Sequence, residues 1–421
     1  MTLQRKGTSY SMFVIGALFF VFGFITWLNN ILIPYMRMAC ELHTQVQGYL
    51  VTFAFYIAYF FMAIPSSFIL KKTGYGNGMA LGLVIIAVGC MTFIPGSMLR
   101  SYPVFLTGLF LQGSGLSLLQ TAANPYVTII GPVETAARRM SIMGICNKVA
   151  GMTGILLLYN ALFSGKEKLI QDIANASDPL LKEGLLQELA NGVVLPYIVI
   201  TAVLVALVLF VKAARLPEIA SNDNSDEHKG FAGIFQYPYL LMGAFAIFFY
   251  VGAEVIAIDT LIGYGDYYEI PTSVSHYFGV YALLALLAGY VVGIFTVPRF
   301  LSQRQALIVQ LFLAIALVVV ALCTQGLASV TAIICLSFAH AIMWPAIWPL
   351  AIHDLGKYTE LGSAMLVRGI VGGALLPLLY GKIADIASPH AAYALLFVSY
   401  AYILFFATVG YKIKRKGQSQ E

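Results

Sequence analysis

The chain has 421 residues, of which 60% are hydrophobic and only 10% are charged, and its mean hydropathy is +0.85. Soluble domains carry about 25% charged residues, so this composition excludes a soluble fold and predicts an all-α membrane protein. The net charge of +5 is small and needs no nucleic acid partner to explain it. The five cysteines have no metal or redox spacing, so a metal site is not expected.

Twelve apolar stretches are long enough to be membrane helices, which need about 20 residues each. The first stretch continues through Trp27 to Pro34, which is longer than the core of a signal peptide, so we expect an uncleaved membrane helix. The predicted helices cover residues 11–36, 46–70, 77–98, 103–131, 137–163, 193–214, 236–262, 273–297, 303–325, 328–352, 361–384 and 390–412.

The basic residues predict which side of the membrane each loop occupies, because lysine and arginine accumulate in cytoplasmic loops. Sixteen of the 24 fall in segments on the side of both termini. The opposite side holds Arg37, Arg100, Lys166, Lys168 and Lys182. We therefore expect a multi-pass protein of the bacterial inner membrane with both termini in the cytoplasm.

Two loops are longer than the others. Residues 164–192 are expected outside the cell and have the leucine pattern of a short amphipathic helix. Residues 216–235 are polar, are expected in the cytoplasm, and separate six helices from six. We therefore divide the chain into an N-terminal half, residues 1–215, a linker, residues 216–235, and a C-terminal half, residues 236–421.

Amides and a lysine stand inside the helices of the N-terminal half, where polar groups usually face a bundle interior or a wet cavity. Gln120 and Asn124 are four residues apart and share one helix face, and Pro125 is expected to bend that helix. Interhelical hydrogen bonds are the structural alternative for the amides, and an ion pair is the alternative for Lys148. The candidate solute-binding residues of this half are Asn29, Asn30, Gln120, Asn124, Asn147 and Lys148.

The C-terminal half contributes two carboxylates and a tryptophan. Glu254 and Asp259 lie five residues apart on the seventh helix, and carboxylates in a low-dielectric bundle suit proton uptake and release. Both are candidates for ion coupling, and Glu254 is also a candidate for solute binding. Trp344 is a further binding candidate, since its aromatic face suits the C–H face of a sugar. His340 on the same helix is either a packing residue or a proton carrier.

Three arginines near the cytoplasmic helix ends, Arg138, Arg139 and Arg368, are candidates for gating. Arg368 has two alternatives: its side chain extends to the interface, or it pairs with Asp354 or Glu360.

An internal repeat relates the two halves. Asn124-Pro125 in the fourth helix lies 220 residues before Trp344-Pro345 in the tenth. Two parallel six-helix halves with a central site between them are the signature of the major facilitator fold.

Four segments resemble the fucose–galactose–gluconate:proton symporter family of the major facilitator superfamily, namely residues 28–34, 120–127, 250–254 and 371–374. The run 131–148, with Glu254 and Asp259, is more similar to the bacterial glucose/galactose and N-acetylglucosamine branch. The resemblance implies twelve helices in two six-helix halves and a sugar contact at Asn147. Asn30 and Gln120 depart from the fucose symporter, which has an aspartate and a glutamate there that are thought to couple protons and hold the sugar.

We therefore expect a secondary active transporter that imports a neutral hexose by alternating access, with proton coupling moved to Glu254, Asp259 or His340. The alternatives are a sodium-coupled or uncoupled carrier for fucose or N-acetylglucosamine, and a sugar sensor that no longer transports. The expected partners are a sugar and the lipid bilayer. We expect a monomer that is driven by a proton or sodium gradient and needs no other cofactor. No nucleophile–base pair or metal triad stands within the helices, so we do not expect an enzyme.

Overall fold

The computed structural model describes residues 2–129, 136–214, 236–297, 299–353 and 358–413, together with Ile234 and Leu355. These residues form helices and connecting turns. Helices α1 to α20 are, in order, Thr2–Trp27, Asn29–Ala39, Gln45–Met91, Phe93–Met98, Tyr102–Ile129, Ala136–Leu162, Glu167–Asn175, Pro179–Asn191, Val194–Ala213, Pro238–Asp259, Leu261–Tyr267, Thr272–Ser275, Phe278–Thr296, Gln303–Cys323, Gly326–His340, Met343–Ile352, Thr359–Gly369, Gly372–Ile386, Pro389–Ala392 and Leu395–Thr408.

These helices combine into twelve membrane crossings. Eleven stretches of the described residues are long and apolar enough to span a bilayer, and one of them, Gln45–Met98, has 54 residues. Gly74 divides that stretch, because its backbone is not helical at φ 76° and ψ 169°, a conformation that glycine adopts far more easily than other residues. The stretch therefore crosses twice, and the described residues make the predicted twelve crossings.

With an even number of crossings, both described ends of the chain lie on one side of the bundle, which we call the terminal side. Helices α7 and α8 connect the fifth crossing to the sixth and lie on the opposite side, which we call the α7–α8 side. The sequence predicts that the terminal side is cytoplasmic. The predicted linker, residues 216–235, lies outside the described residues apart from Ile234.

Several crossings consist of two helices rather than one. The seventh breaks at Thr260, between α10 and α11, where the predicted helix 236–262 was continuous. The Thr260 hydroxyl donates to the Ile256 carbonyl at 2.7 Å, and such side-chain bonds compete with the helical ladder. The tenth breaks at Ala341, because Pro345 has no N–H to donate to the carbonyl one turn earlier. The fourth, by contrast, stays helical through Pro125.

The segment 164–192 forms two helices, α7 and α8, where the sequence predicts one. Asp178 starts α8 by accepting a hydrogen bond from the Leu180 N–H at 3.0 Å. The helix then packs on the bundle through Leu186 and Leu189, which are buried. Leu180 itself is exposed, so only the second half of the predicted leucine stripe meets the core.

In each half, the first and fifth crossings of that half touch at a glycine. A Cβ atom on Gly23 would lie 1.8 Å from the backbone oxygen of Asn147, and one on Gly372 would lie 1.8 Å from that of Phe248. Real Cβ atoms never approach so closely, so each contact requires glycine. The N-terminal contact brings α1 and α6 together and thereby places the side chains that line the centre of the bundle.

The halves also meet near the membrane surface on the α7–α8 side. On the α7–α8 side, the Asp385 carboxylate accepts the backbone N–H groups of Gln45 at 2.8 Å and Val46 at 3.2 Å. These are the first residues of α3, so a carboxylate of the C-terminal half caps a helix of the N-terminal half, where the helix dipole favours negative charge.

Candidate functional site

An ion pair between the halves lies near the middle of the bundle. The Lys148 ammonium, on α6, is 3.1 Å from the Glu254 carboxylate, on α10, and the side chains are only 9% and 10% exposed. Removing one partner would leave the other charge buried and unpaired, which is costly in such a place. The structure thus brings two of the predicted site residues together and shows the ion pair that was the structural alternative for Lys148.

Trp27 forms one wall of this central pair. Its ring centroid is 4.4 Å from the Lys148 ammonium, a cation–π distance, and its indole N–H donates to the Asn147 side-chain oxygen at 3.4 Å. Gly151 makes room for the indole, because a Cβ there would lie 2.3 Å from it. Trp27 was not among the predicted site residues. The available signal was a tryptophan in mid-span, far from the membrane interfaces where this residue is common.

The Gln120 amide lies beside Tyr59 in the N-terminal half. Its side-chain nitrogen donates to the Tyr59 hydroxyl at 3.0 Å, which joins α5 to α3. Gln120 is half-buried, and Asn124, one turn towards the terminal side, is 8% exposed. Tyr59 was also missed from sequence, because a tyrosine in an aromatic-rich helix looks like ordinary packing.

Aromatic rings of the C-terminal half form a second wall. Trp344 stacks on Trp348 with ring centroids 5.2 Å apart and lies 6.2 Å from the ring of Tyr250. The Tyr250 ring is also 6.2 Å from His340. His340 is fully buried, and its Nε2 lies 2.7 Å from the Tyr400 hydroxyl. His340 is therefore held within the packing of the C-terminal half.

The two asparagines of α2, Asn29 and Asn30, lie about one turn nearer the α7–α8 side than Trp27 does. Asn30 donates its amide N–H to the carbonyl of Ile258 at 2.8 Å, across the boundary between the halves. Because a carbonyl only accepts, this bond fixes the orientation of the amide, and the Asn30 side-chain oxygen is buried without a hydrogen-bond partner. Asn29 is 1% exposed, and neither of its amide atoms has a partner.

Asp259 ends α10, five residues after Glu254, which corresponds to about 7.5 Å along a helix axis. The residue is 3% exposed, and its Oδ1 atom has no hydrogen-bond partner. Asp259 borders a cavity of about 650 Å³ that lies on the α7–α8 side. The two predicted coupling carboxylates thus occupy different places, one in the central pair and one below the cavity.

The predicted gating arginines differ in what they contact. Arg368 bridges the halves on the terminal side, where its Nε donates to the Phe60 carbonyl at 3.3 Å and its guanidinium lies 4.8 Å from the Phe60 ring. Arg139 donates to the Val127 carbonyl at 2.8 Å and so links α5 to α6 within the N-terminal half. The Arg138 side chain and the whole of Asp354 lie outside the described residues.

Taken together, the centre of the bundle offers amides, hydroxyls, indole rings and one ion pair, contributed by both halves. Amides and hydroxyls both donate and accept hydrogen bonds, and aromatic faces suit the apolar side of a polar solute. Such a site fits a small, neutral, hydroxylated molecule better than an anion.

Comparison with known proteins gives a consistent result over nearly the whole chain. The sequence model of the Major Facilitator Superfamily matches residues 15–374. The glucose/galactose transporter of Brucella abortus is 32% identical over 420 residues, which cover 98% of this chain and 96% of the relative. The L-fucose-proton symporter of Escherichia coli is 28% identical over 91% of this chain and 90% of its own length.

Solved structures agree with the sequence matches. The crystal structure of FucP, a major facilitator transporter in the outward conformation, has a TM-score of 0.76 and 26% identity over 96% of this chain and 99% of that chain. An inward-facing bacterial homologue of the human lysosomal transporter Spinster has a TM-score of 0.65 at 14% identity and shares the fold alone.

Proposed function

This chain belongs to the major facilitator superfamily, and we propose that it imports a neutral hexose such as glucose, galactose or mannose, together with a proton. The family resemblance seen in the sequence is confirmed: the chain is a multi-pass membrane transporter of this superfamily and not an enzyme. The relatives named glucose/galactose transporter and L-fucose-proton symporter support a sugar as the solute.

The observation that carries the proposal is the Lys148–Glu254 pair, since it joins the halves at the point where the superfamily binds its solute. A sugar bound there meets Gln120 and Asn147 from the N-terminal half. Trp27 and Trp344 supply aromatic faces on either side. These contacts recognise hydroxyl groups and ring C–H groups without needing a charge on the solute.

Proton coupling follows from the charge on Glu254. While Glu254 is ionised, its attraction to Lys148 favours the arrangement in which the halves touch. A proton on the carboxylate removes that attraction and lowers the free energy needed to separate the halves. Asp259 borders the cavity on the α7–α8 side, so it is placed to receive the proton first. Neither Asn30 nor Gln120 can serve, because amides do not titrate in the physiological range.

The proposal is tested with the full chain in proteoliposomes. Uptake of labelled glucose, galactose, mannose, fucose and N-acetylglucosamine is measured under an imposed proton gradient, a sodium gradient, or neither. We expect accumulation of glucose, galactose or mannose only with the proton gradient. Glu254→Gln should abolish accumulation but retain exchange of labelled for unlabelled sugar, because exchange needs no net proton movement. Asp172→Asn, at an exposed carboxylate of α7, is the matched control and should transport normally.

Two results would contradict the proposal in different ways. Uptake of none of these sugars, or of organic anions alone, would remove the sugar assignment. Sugar uptake that ignores the proton gradient would remove proton symport, and dependence on sodium would replace it with sodium coupling.

A further inference from the structure

The cavity of about 650 Å³ on the α7–α8 side lies apart from the central ion pair. Residues of both halves line it, and the cross-half bond from Asn30 to the Ile258 carbonyl lies between it and the level of Lys148. Its volume is within the range of about 300–1,000 Å³ found for small-molecule sites.

Hydrogen-bonding groups of fixed orientation face this cavity. Arg37 donates to the side-chain oxygen of Gln45 at 2.9 Å, so the amide nitrogen of Gln45 remains available as a donor. The Nδ1 atom of His276 lies 2.7 Å from the Thr272 carbonyl. Because a carbonyl only accepts, Nδ1 carries the hydrogen, and Nε2 of the neutral ring is an acceptor.

The donor and acceptor that face a ligand in the cavity are those of Gln45 and His276. Asp259 also borders the cavity, but it is only 3% exposed and its Oδ1 atom is closed to solvent, so it forms part of the cavity floor. A sugar hydroxyl both donates and accepts, and therefore suits Gln45 and His276 alike.

Aromatic rings and charge narrow the ligand class. The His276 ring stacks on Tyr159 with centroids 3.6 Å apart and planes 3° from parallel, which joins the end of α12 to α6 across the halves. Tyr49 adds a second aromatic face, and such faces suit the C–H side of a pyranose. The exposed rim of the cavity carries Arg37 against Asp266 and Asp385, so two carboxylates face one guanidinium and the field there disfavours sugar acids and sugar phosphates.

We propose that this cavity is a second hexose site, which holds the sugar on the α7–α8 side separately from the central site. It rests on the proposed function, because the same neutral hexose is its ligand. The second site raises the local concentration of sugar next to the bond from Asn30 to Ile258, which must open before the sugar reaches the central site. It also selects against anionic sugars before they reach the ion pair.

Equilibrium dialysis of the purified full-length protein with labelled glucose and galactose, extended to millimolar sugar, tests the proposal. We expect two sugars bound per chain. His276→Ala should weaken one of the two sites at least tenfold and leave the other unchanged, whereas Gln120→Ala should do the reverse. Tyr281→Ala removes an exposed ring of α13 that does not line the cavity, and it should leave both sites intact.

The outcomes separate the two proposals. One bound sugar per chain that is lost in Gln120→Ala and unaffected by His276→Ala would overturn the second site while leaving the proposed function standing. No hexose binding at all would overturn both. If His276→Ala does not fold, Gln45→Ala, which removes a donor from the cavity wall, replaces it, and an unchanged second site in that variant overturns the proposal.

Discussion

Removing one partner of the Lys148–Glu254 pair should destabilise the protein far more than removing both. Lys148→Met leaves the Glu254 carboxylate buried without a counter-charge, and Glu254→Gln leaves the Lys148 ammonium in the same position. In the double variant neither charge remains, and the two replacements keep nearly the original shapes. The free energies of unfolding of the three variants therefore should not add.

The size of the effect follows from the geometry of the pair. At 3.1 Å and an effective dielectric constant of about 20, the attraction is about 5 kcal/mol. Desolvation of both ions offsets much of this attraction, but a lone buried charge retains its own desolvation cost, so each single variant should lose about 3–5 kcal/mol. The double variant leaves no buried charge and should stay within about 2 kcal/mol of the wild type, so the sum of the single losses should exceed the double loss by at least about 4 kcal/mol.

Unfolding in mixed micelles of increasing sodium dodecyl sulfate content measures these free energies. The matched control is the pair of Lys182 and Glu41, which lies on the surface at 2.7 Å with side chains 41% and 40% exposed. Solvent screens such a pair, so the same double-mutant cycle with Lys182→Met and Glu41→Gln should give less than about 1 kcal/mol. A central coupling energy no larger than that of the surface pair would refute the reasoning.

Three other changes have definite expected outcomes. Gln120→Ala should raise the hexose Kd about tenfold, because it removes hydrogen bonds worth about 1.5 kcal/mol. Tyr59→Phe should raise the Kd by less. Equal Kd values in both variants and the wild type would contradict this expectation. Asp385→Asn should raise the ratio of open to closed molecules on the α7–α8 side about fivefold, because it loses about 1 kcal/mol of charge–dipole attraction. Spin-label distances between α3 and α18 measure this ratio. Asp385→Glu should restore the wild-type distances. Gly23→Val should cost about 3 kcal/mol or more in the micelle assay, whereas Gly184→Val, with open space around it, should cost less than about 1 kcal/mol.

Much of the fold was predictable because its causes are local in sequence. Twelve apolar runs and their polar interruptions specify the crossings, and intramembrane amides and charges mark the helix faces that turn inward. The same reasoning identified Lys148 and Glu254 individually as site residues. Their pairing was not predictable, since the two lie 106 residues apart and meet only when the halves are assembled.

The features that the sequence did not reveal depend on tertiary contacts of ordinary residues. Asp385 looks like any loop carboxylate, and its partner N–H groups are about 340 residues away. Trp27 and Tyr59 join the site only because neighbouring helices place an amide beside each of them. The break at Thr260 comes from a hydroxyl bond that most threonines in helices make without ending the helix.

The glycine contacts at Gly23 and Gly372 have a mechanical consequence. At each, two helices meet backbone to backbone, with no side chain whose rotamer changes could absorb sliding. Each half should therefore rotate as a stiff body, and little elastic energy can be stored inside it. The free-energy difference between the states of the transport cycle must then reside in the bonds that cross between the halves. A single substitution at one of those bonds should therefore change the populations of the states more than a substitution in the core of either half.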